Sequence, residues 1–109
     1  MPSDNPWISC IVYFASLIRI TQDSLTLDSN IAAEISGLIK AACADMIEHG
    51  ILTEKVYNTD DALIRRAIGL YVKAGYGLDN PDSEKYYNSF EMLEQHLMLS
   101  NDYITGGEA

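Results

Sequence analysis

Apolar residues recur at helical spacing along most of this chain, and this periodicity constrains its fold more than any other feature. The clearest case is Tyr86, Phe90, Leu93 and Leu97, which stand at positions i, i+4, i+7 and i+11. Side chains with this spacing share one face of an α-helix. The pattern therefore predicts an amphipathic helix that buries this face against other parts of the protein.

Capping residues divide the periodic sequence into four predicted helices, which cover approximately residues 5–20, 28–49, 59–75 and 80–99. Asn5-Pro6 and Asn80-Pro81 each combine a good N-cap with a proline suited to the first helical turn. The polar run 21–26 is predicted to interrupt the helical pattern. Residues 51–58 are compatible with a loop, a single turn or a short strand, and the sequence leaves these alternatives open.

The length of 109 residues suits one domain with one core. The helical pattern stops after Leu99, and the following residues are mostly polar and include Gly106-Gly107. We therefore predict a helical domain over residues 1–99 and a C-terminal tail over residues 100–109 that is mobile on its own. The predicted fold class is all-α, a small bundle of about four helices with a flexible tail.

The charge balance argues against several kinds of partner. The chain has 7 Lys and Arg against 16 Asp and Glu, a net charge of -9. Direct binding to nucleic acid requires basic side chains that displace counterions from phosphates, and anionic membranes are disfavoured for the same reason. The uncharged stretch 7–18 is shorter than the roughly 20 apolar residues of a spanning helix and has no Lys or Arg before it. We expect synthesis in the cytoplasm and no membrane association.

The reactive side chains form no recognisable catalytic motif. His49 and His96 lie on different predicted helices, outside any tight cluster of ligand residues, and Cys10 and Cys43 form no CxxC motif. Both cysteines are interpreted as reduced core thiols, although the sequence leaves a disulfide between them open. We therefore expect no catalytic residues, cofactor or metal site, and no enzymatic activity.

The aromatic residues allow two interpretations. Three of them crowd the first predicted helix, and Tyr86 and Tyr87 are adjacent, so both cannot face the same core. In the first interpretation most of them belong to the core; in the second, some anchor a second face against a neighbouring subunit, as aromatic residues often do. The candidate subunit-interface residues are Trp7, Tyr13, Phe14, Arg65, Arg66 and Tyr87. The sequence does not show whether Arg65, Arg66 and Lys73 pair within one subunit or across an interface.

The ordered combination of helix-packing segments resembles a known protein family. The segments are Asp61-Ala-Leu-Ile-Arg-Arg-Ala-Ile-Gly-Leu-Tyr-Val-Lys-Ala-Gly-Tyr-Gly, then Asp79-Asn-Pro-Asp-Ser-Glu-Lys-Tyr, and then Phe90 to Tyr103. They resemble the head–tail connector, or adaptor, proteins of long-tailed double-stranded DNA phages and related prophages of Gram-positive bacteria. Leu17-Ile-Arg-Ile20, Asp28, Ala41-Ala-Cys-Ala-Asp45 and Gly50-Ile51 resemble the first half of the same family.

This resemblance implies a structural role in the virion, at the junction of head and tail, after assembly in the host cytoplasm. Members of the family form a ring, typically dodecameric, beneath the portal protein. The ring extends the DNA channel without sequence-specific binding and provides a platform for tail or stopper proteins. The C-terminal segment of relatives typically reaches the portal, so Leu99, Tyr103 and Ile104 are candidate portal-docking residues.

Two other functions are compatible with the composition. An acidic helical regulator, such as a DNA mimic, would mask a basic surface on another protein. The acidic residues here are spread along every predicted helix rather than along one strip, which counts against that function. A small enzyme is the third alternative, and no constellation of residues supports it.

Overall fold

The structure, a computed structural model, describes residues 5–77 and 80–104. Over these residues the chain forms helices and no strand, which confirms the predicted all-α class. A 3-10 turn at Pro6–Cys10 leads into the first α-helix. The α-helices are α1 (Ile11–Leu17), α2 (Gln22–Leu27), α3 (Ser29–Glu48), α4 (Thr53–Val56), α5 (Ala62–Gly75), α6 (Ser83–Met98) and α7 (Asn101–Ile104).

The predicted limits of the second and third helices are close to those of α3 and α5. The Asp28 carboxylate accepts a hydrogen bond from the Asn30 amide at 2.9 Å and caps α3. The Asp61 carboxylate accepts bonds from the amides of Leu63 and Ile64, at 2.9 and 3.1 Å, and caps α5. These bonds satisfy amides that have no partner within the helix.

The first predicted helix is shorter and less regular than expected. Asn5 does accept a hydrogen bond from the Trp7 amide at 2.9 Å, but the residues that follow form the 3-10 turn before α1 begins. The helix ends at Leu17, and Arg19 adopts a left-handed conformation with φ 65°. This conformation lets the Ile20 amide bond back to the Ala15 carbonyl at 2.9 Å, which closes the end of the helix.

The predicted interruption at residues 21–26 is wrong, because most of this run forms α2. The Thr21 hydroxyl accepts a hydrogen bond from the Ser24 amide at 3.1 Å and so starts a helix from polar residues. Leu25 packs against the core, whereas Leu27 is 86% exposed. Tertiary packing and one cap therefore outweigh the absence of an apolar stripe. The unassigned run 51–58 contains the single helical turn α4.

The fourth predicted helix begins a few residues later than Asn80-Pro81. The Asn80 side chain accepts a hydrogen bond from the Asp82 amide at 3.1 Å and donates one to the Lys73 carbonyl at 2.7 Å. Ser83 donates to the Ala74 carbonyl at 2.6 Å. These bonds fix the connection between the end of α5 and the start of α6.

Helix α5 lies at the centre of the bundle, in contact with α1, α3 and α6. Its buried residues Ile64, Ala67, Ile68 and Val72 join side chains of the surrounding helices in one core. The position of Gly69 in the middle of this helix predicts that another helix backbone approaches closely there. A Cβ at Gly69 would lie 2.8 Å from Leu17 Cδ1, so the approaching group is a side chain of α1 rather than a backbone.

The first part of the predicted tail is folded onto the bundle. Ser100 follows α6, and Asn101–Ile104 forms α7. The Leu52 amide donates to the Tyr103 carbonyl at 2.8 Å, and the Tyr103 hydroxyl donates to Asp61 at 2.8 Å. Residues 101–104 are thus helical in this structure, the domain boundary after residue 99 stays a prediction, and residues 105–109 lie outside the described residues.

Candidate functional site

A groove of about 380 Å³ runs along α1 and α5. Three of the 7 basic residues of the chain contribute to it, although the chain as a whole is acidic. Tyr13 stands at this groove with 45% of its surface exposed. The residues that line the groove are Tyr13, Leu17, Ala62, Arg65, Arg66, Gly69, Leu70 and Lys73. The arrangement combines positive charge with apolar surface, which suits a negatively charged protein partner.

The two arginines of this groove form no ion pair with any described residue. Asp61 precedes Arg65 by four residues, which is the order that favours an ion pair on a helix. The Asp61 carboxylate instead caps α5 and accepts a hydrogen bond from the Tyr103 hydroxyl. Among the described residues the ion pairs involve only His49, so neither Arg65 nor Arg66 is paired with a carboxylate. The Lys73 ammonium lies 5.2 Å from the centre of the Tyr86 ring.

The structure separates the aromatic candidates into buried and exposed residues. Trp7 and Phe14 have no exposed surface and belong to the core of the subunit. Trp7 also donates from Nε1 to the Val56 carbonyl at 2.6 Å. Both side chains therefore pack within the subunit in this structure, and their contact with a neighbouring subunit stays a prediction. Tyr13 and Tyr87 keep 45% and 39% of their surface exposed.

The structure places the predicted interface residues in two different regions. Tyr13, Arg65 and Arg66 meet at the groove between α1 and α5. Tyr87 lies elsewhere, 6.2 Å from the ring of Tyr71 and beside the junction of α3, α5 and α6. The first three residues can therefore act together, whereas Tyr87 belongs to a separate surface.

The three candidate docking residues of the C-terminal segment also differ. Leu99 lies between α6 and α7, is 85% exposed and is not part of the core. Ile104 is half-buried, and so is Tyr103. Burial, and then the hydrogen bond to Asp61, raise the pKa of Tyr103 to about 12, so its hydroxyl keeps the proton that it donates.

A second cluster of polar side chains joins the end of α3 to α6. His49 Nδ1 lies 2.9 Å from an Asp45 carboxylate oxygen and 3.5 Å from Glu94 Oε2. It also lies 2.8 Å from the Asp45 backbone oxygen. Glu94 is only 4% exposed, and its Oε2 has no hydrogen-bond partner among the described residues.

The pKa values of both Glu94 and His49 are raised in this cluster. The pKa of Glu94 is raised to about 8, chiefly by burial and then by the neighbouring Asp45 carboxylate, whose effect exceeds the lowering by His49. The pKa of His49 is also raised, first by its hydrogen bond to the Asp45 backbone and then by the charge of Glu94. A buried carboxyl without a matching donor favours its neutral form, because its charge is poorly solvated.

His49 was expected to lie outside any cluster of ligand residues, yet the structure brings it together with Asp45 and Glu94. Asp45 and His49 stand four residues apart on a predicted helix, a spacing that places them on one face. That spacing is a usable signal in the sequence. The third member, Glu94, follows from no local pattern, because only the packing of α6 against the end of α3 brings it there.

The two cysteines differ in their burial. Both are free thiols in the structure, with Cys43 buried and Cys10 half-buried. Burial raises the pKa of Cys43 to about 11, which keeps it a neutral thiol at physiological pH.

Comparison with known protein families identifies the class to which this fold belongs. The family model described as phage connector protein matches residues 16–104, which include the cluster, all helices from α2 to α7 and every residue that lines the groove except Tyr13. The chain therefore belongs to the phage connector protein family and has a head–tail connector role in a phage. Comparisons with curated proteins and with solved structures gave no match. Among the helices of the described residues, none combines the length and apolar character needed to cross a bilayer.

Removing the Glu94 carboxyl is expected to flatten the pH dependence of stability. The native pKa of about 8 exceeds the ordinary 4.5, so the folded state holds a proton that the unfolded state releases. The free energy of unfolding should therefore fall by on the order of 3 kcal/mol between pH 5 and pH 8. The groups that face Glu94 are Asp45 and His49 from α3, Tyr71 from α5 and Glu91 from α6.

Urea denaturation at several pH values, with a chelator present, measures this effect. Loss of the His49 proton also lowers the free energy of unfolding as the pH rises, because the pKa of His49 is raised in the folded state. The Glu94→Gln variant should lose most of the decline between pH 5 and pH 8, and Glu91→Gln should retain it. A decline of equal size in Glu94→Gln would contradict the assignment.

Proposed function

We propose that this protein is a connector subunit that assembles into a ring, typically of twelve copies, beneath the portal protein of a phage. The ring extends the DNA channel and offers a docking platform to tail or stopper proteins. Membership of the phage connector family carries this proposal, because the match covers residues 16–104. The proposed location is the head–tail junction of the virion, after assembly in the host cytoplasm.

The groove between α1 and α5 supports the ring. A closed ring uses heterologous contacts, so each subunit needs two different surfaces that fit one another. The groove supplies a basic surface with the exposed Tyr13 beside Arg65 and Arg66. A second copy, with a net charge of -9, presents mostly carboxylates to it. We propose that an acidic surface of one subunit occupies this groove on the next.

The remaining charge suits a channel that DNA passes through. Binding to the DNA backbone depends on Lys and Arg, whereas this chain has 16 acidic residues against 7 basic ones. An acidic wall repels phosphate and lets DNA slide past it without a sequence preference. The groove between α1 and α5 contains three of the 7 basic residues and would attract phosphate. We therefore propose that this groove does not face the DNA.

The exposed Leu99 is the most accessible candidate for contact with the portal. Tyr103 already donates its hydroxyl hydrogen to Asp61, so it stabilises the position of α7 rather than standing free. Leu99 projects from the junction of α6 and α7 with 85% of its surface exposed. We propose that Leu99 contacts the portal, while α7 holds this segment in position.

Electron microscopy of the purified chain mixed with its portal protein tests the proposal. We expect ring-shaped density on the portal, and the double variant Arg65→Glu/Arg66→Glu should reduce subunit occupancy at least ten-fold. The matched variant Lys40→Glu/Lys85→Glu makes the same change of charge outside the groove and should assemble normally. Leu99→Ser should weaken attachment to the portal but leave contacts between subunits intact.

Two results would count against the proposal. One is an absence of association with the portal at any salt concentration. The other is a tight, salt-sensitive complex of one chain with one basic protein, which would favour the acidic-regulator alternative. If the ring forms but the two double variants behave alike, the connector role stands and the groove is not the subunit interface.

A further inference from the structure

Three ligand atoms of the kinds that bind metal ions meet where the end of α3 packs against α6. Asp45 and Glu94 each offer a carboxylate oxygen and His49 offers a ring nitrogen, and these atoms all lie within 4.8 Å of one another. Asp45 lies in the last turn of α3 and His49 is the C-cap of that helix four residues later, so their side chains lie on one face. Glu94 completes the group from the facing helix.

The Glu94 carboxylate shows that this cluster is more than a group of surface acids. The residue is 4% exposed, and its Oε2 points toward His49, 3.5 Å away, with no hydrogen-bond partner among the described residues. A buried polar atom without a partner is costly, and native proteins usually supply one. A cation bound between the Asp45 and Glu94 carboxyl groups would provide this partner.

We propose that Asp45, His49 and Glu94 bind a divalent transition-metal ion of the zinc class. An imidazole and two carboxylates form a borderline ligand set that suits Zn²⁺ better than Mg²⁺ or Ca²⁺, which prefer six or more oxygen ligands. Three protein ligands leave one tetrahedral position for water. The His49 side chain is 49% exposed, so this position opens to solvent and gives the ion a path of entry.

Binding of such an ion requires only a small movement of the three side chains. A tetrahedral ion with bonds of about 2.1 Å holds its ligand atoms about 3.4 Å apart. The three atoms lie within 4.8 Å, so side-chain rotations that shorten the longest separation by about 1.4 Å suffice. His49 is free to make this adjustment because half of its side chain is outside the packed core. The bound ion would fix the end of α3 to α6, close to the Leu52 amide that holds α7.

Titration calorimetry of the full chain, without an affinity tag and after treatment with a chelator, tests the site with Zn²⁺ as the probe. We expect one ion per chain and little or no heat with Mg²⁺. His49→Ala and Glu94→Gln should each weaken binding by about 100-fold, since each removes a direct ligand. His96→Ala is the matched control, because His96 is an exposed histidine on α6 outside the cluster, and it should bind Zn²⁺ normally.

Circular dichroism should show that each variant keeps its helical content, so that lost binding reflects a lost ligand. Co²⁺ provides a second readout, because a site with only nitrogen and oxygen ligands lacks the charge-transfer absorption of a cobalt–thiolate bond. An absence of Zn²⁺ binding, unchanged binding in His49→Ala, or a thiolate band that disappears in Cys10→Ser would each overturn the proposal.

Discussion

Replacing Trp7 with alanine is expected to lower the free energy of unfolding by about 4 kcal/mol. The indole has no exposed surface and packs edge-on against Phe14, with ring centres 6.0 Å apart. Its Nε1 donates to the Val56 carbonyl at 2.6 Å, which ties the N-terminal turn to α4. The variant therefore loses core volume and leaves a buried carbonyl without its donor.

Urea denaturation of matched variants measures this effect. Trp7→Phe should retain most of the packing and cost about 2 kcal/mol, chiefly through the lost hydrogen bond. Leu27→Ala is the control for a large apolar residue that is 86% exposed, and it should change stability by less than about 0.5 kcal/mol. Trp7 lies before residue 16, where the match to the connector family begins. A Trp7→Ala variant as stable as Leu27→Ala would show that this turn is not part of the folded unit in solution.

Replacing Asp61 with alanine is expected to cost about 3 kcal/mol, because one carboxylate performs two tasks. It caps α5 by accepting from the Leu63 and Ile64 amides, and such caps contribute about 1 kcal/mol. It also accepts from the Tyr103 hydroxyl at 2.8 Å, and a bond to a charged acceptor contributes about 2 kcal/mol. The neighbouring Asp60 is exposed, so Asp60→Ala is the matched control and should change stability by less than about 0.5 kcal/mol.

A double-mutant cycle separates the two tasks of Asp61. Tyr103→Phe should cost about 2 kcal/mol, and its effect should nearly vanish in an Asp61→Ala background, giving a coupling of about 1 to 2 kcal/mol. Helix capping alone would leave the two effects additive. Additive effects would therefore mean that α7 does not dock through this bond.

Much of the fold was predictable because local chemistry and burial agree over α3, α5 and α6. In α3, the apolar residues Ile35, Ile39 and Met46 recur at helical spacing and all are buried. The capping residues Asp28 and Asp61 lie within one or two residues of the predicted starts of the second and third helices. The connector resemblance was also recognisable from sequence, because it rests on the same ordered helical segments, and the family match confirms it.

Other features were not predictable because they depend on distant contacts. Helix α2 carries no apolar stripe and forms through one threonine cap and the packing of Leu25. Trp7 and Tyr13 look alike in sequence as aromatic residues of one segment, yet one is buried and the other 45% exposed. Helical periodicity gives the face of a residue only when the helix is regular, and the 3-10 turn at Pro6–Cys10 disrupts that relation.

The sequence by itself determined the all-α class, the main helices with their caps, the acidic surface and the family, because each follows from residue type and local spacing. Only the tertiary structure decided that Tyr103 bonds to Asp61, that Arg65 and Arg66 share a groove with Tyr13, and that Glu94 meets Asp45 and His49. These contacts join residues far apart in the chain. They depend on how α1, α5 and α6 pack against one another, and helix packing is set by the fit of whole surfaces rather than by any single segment.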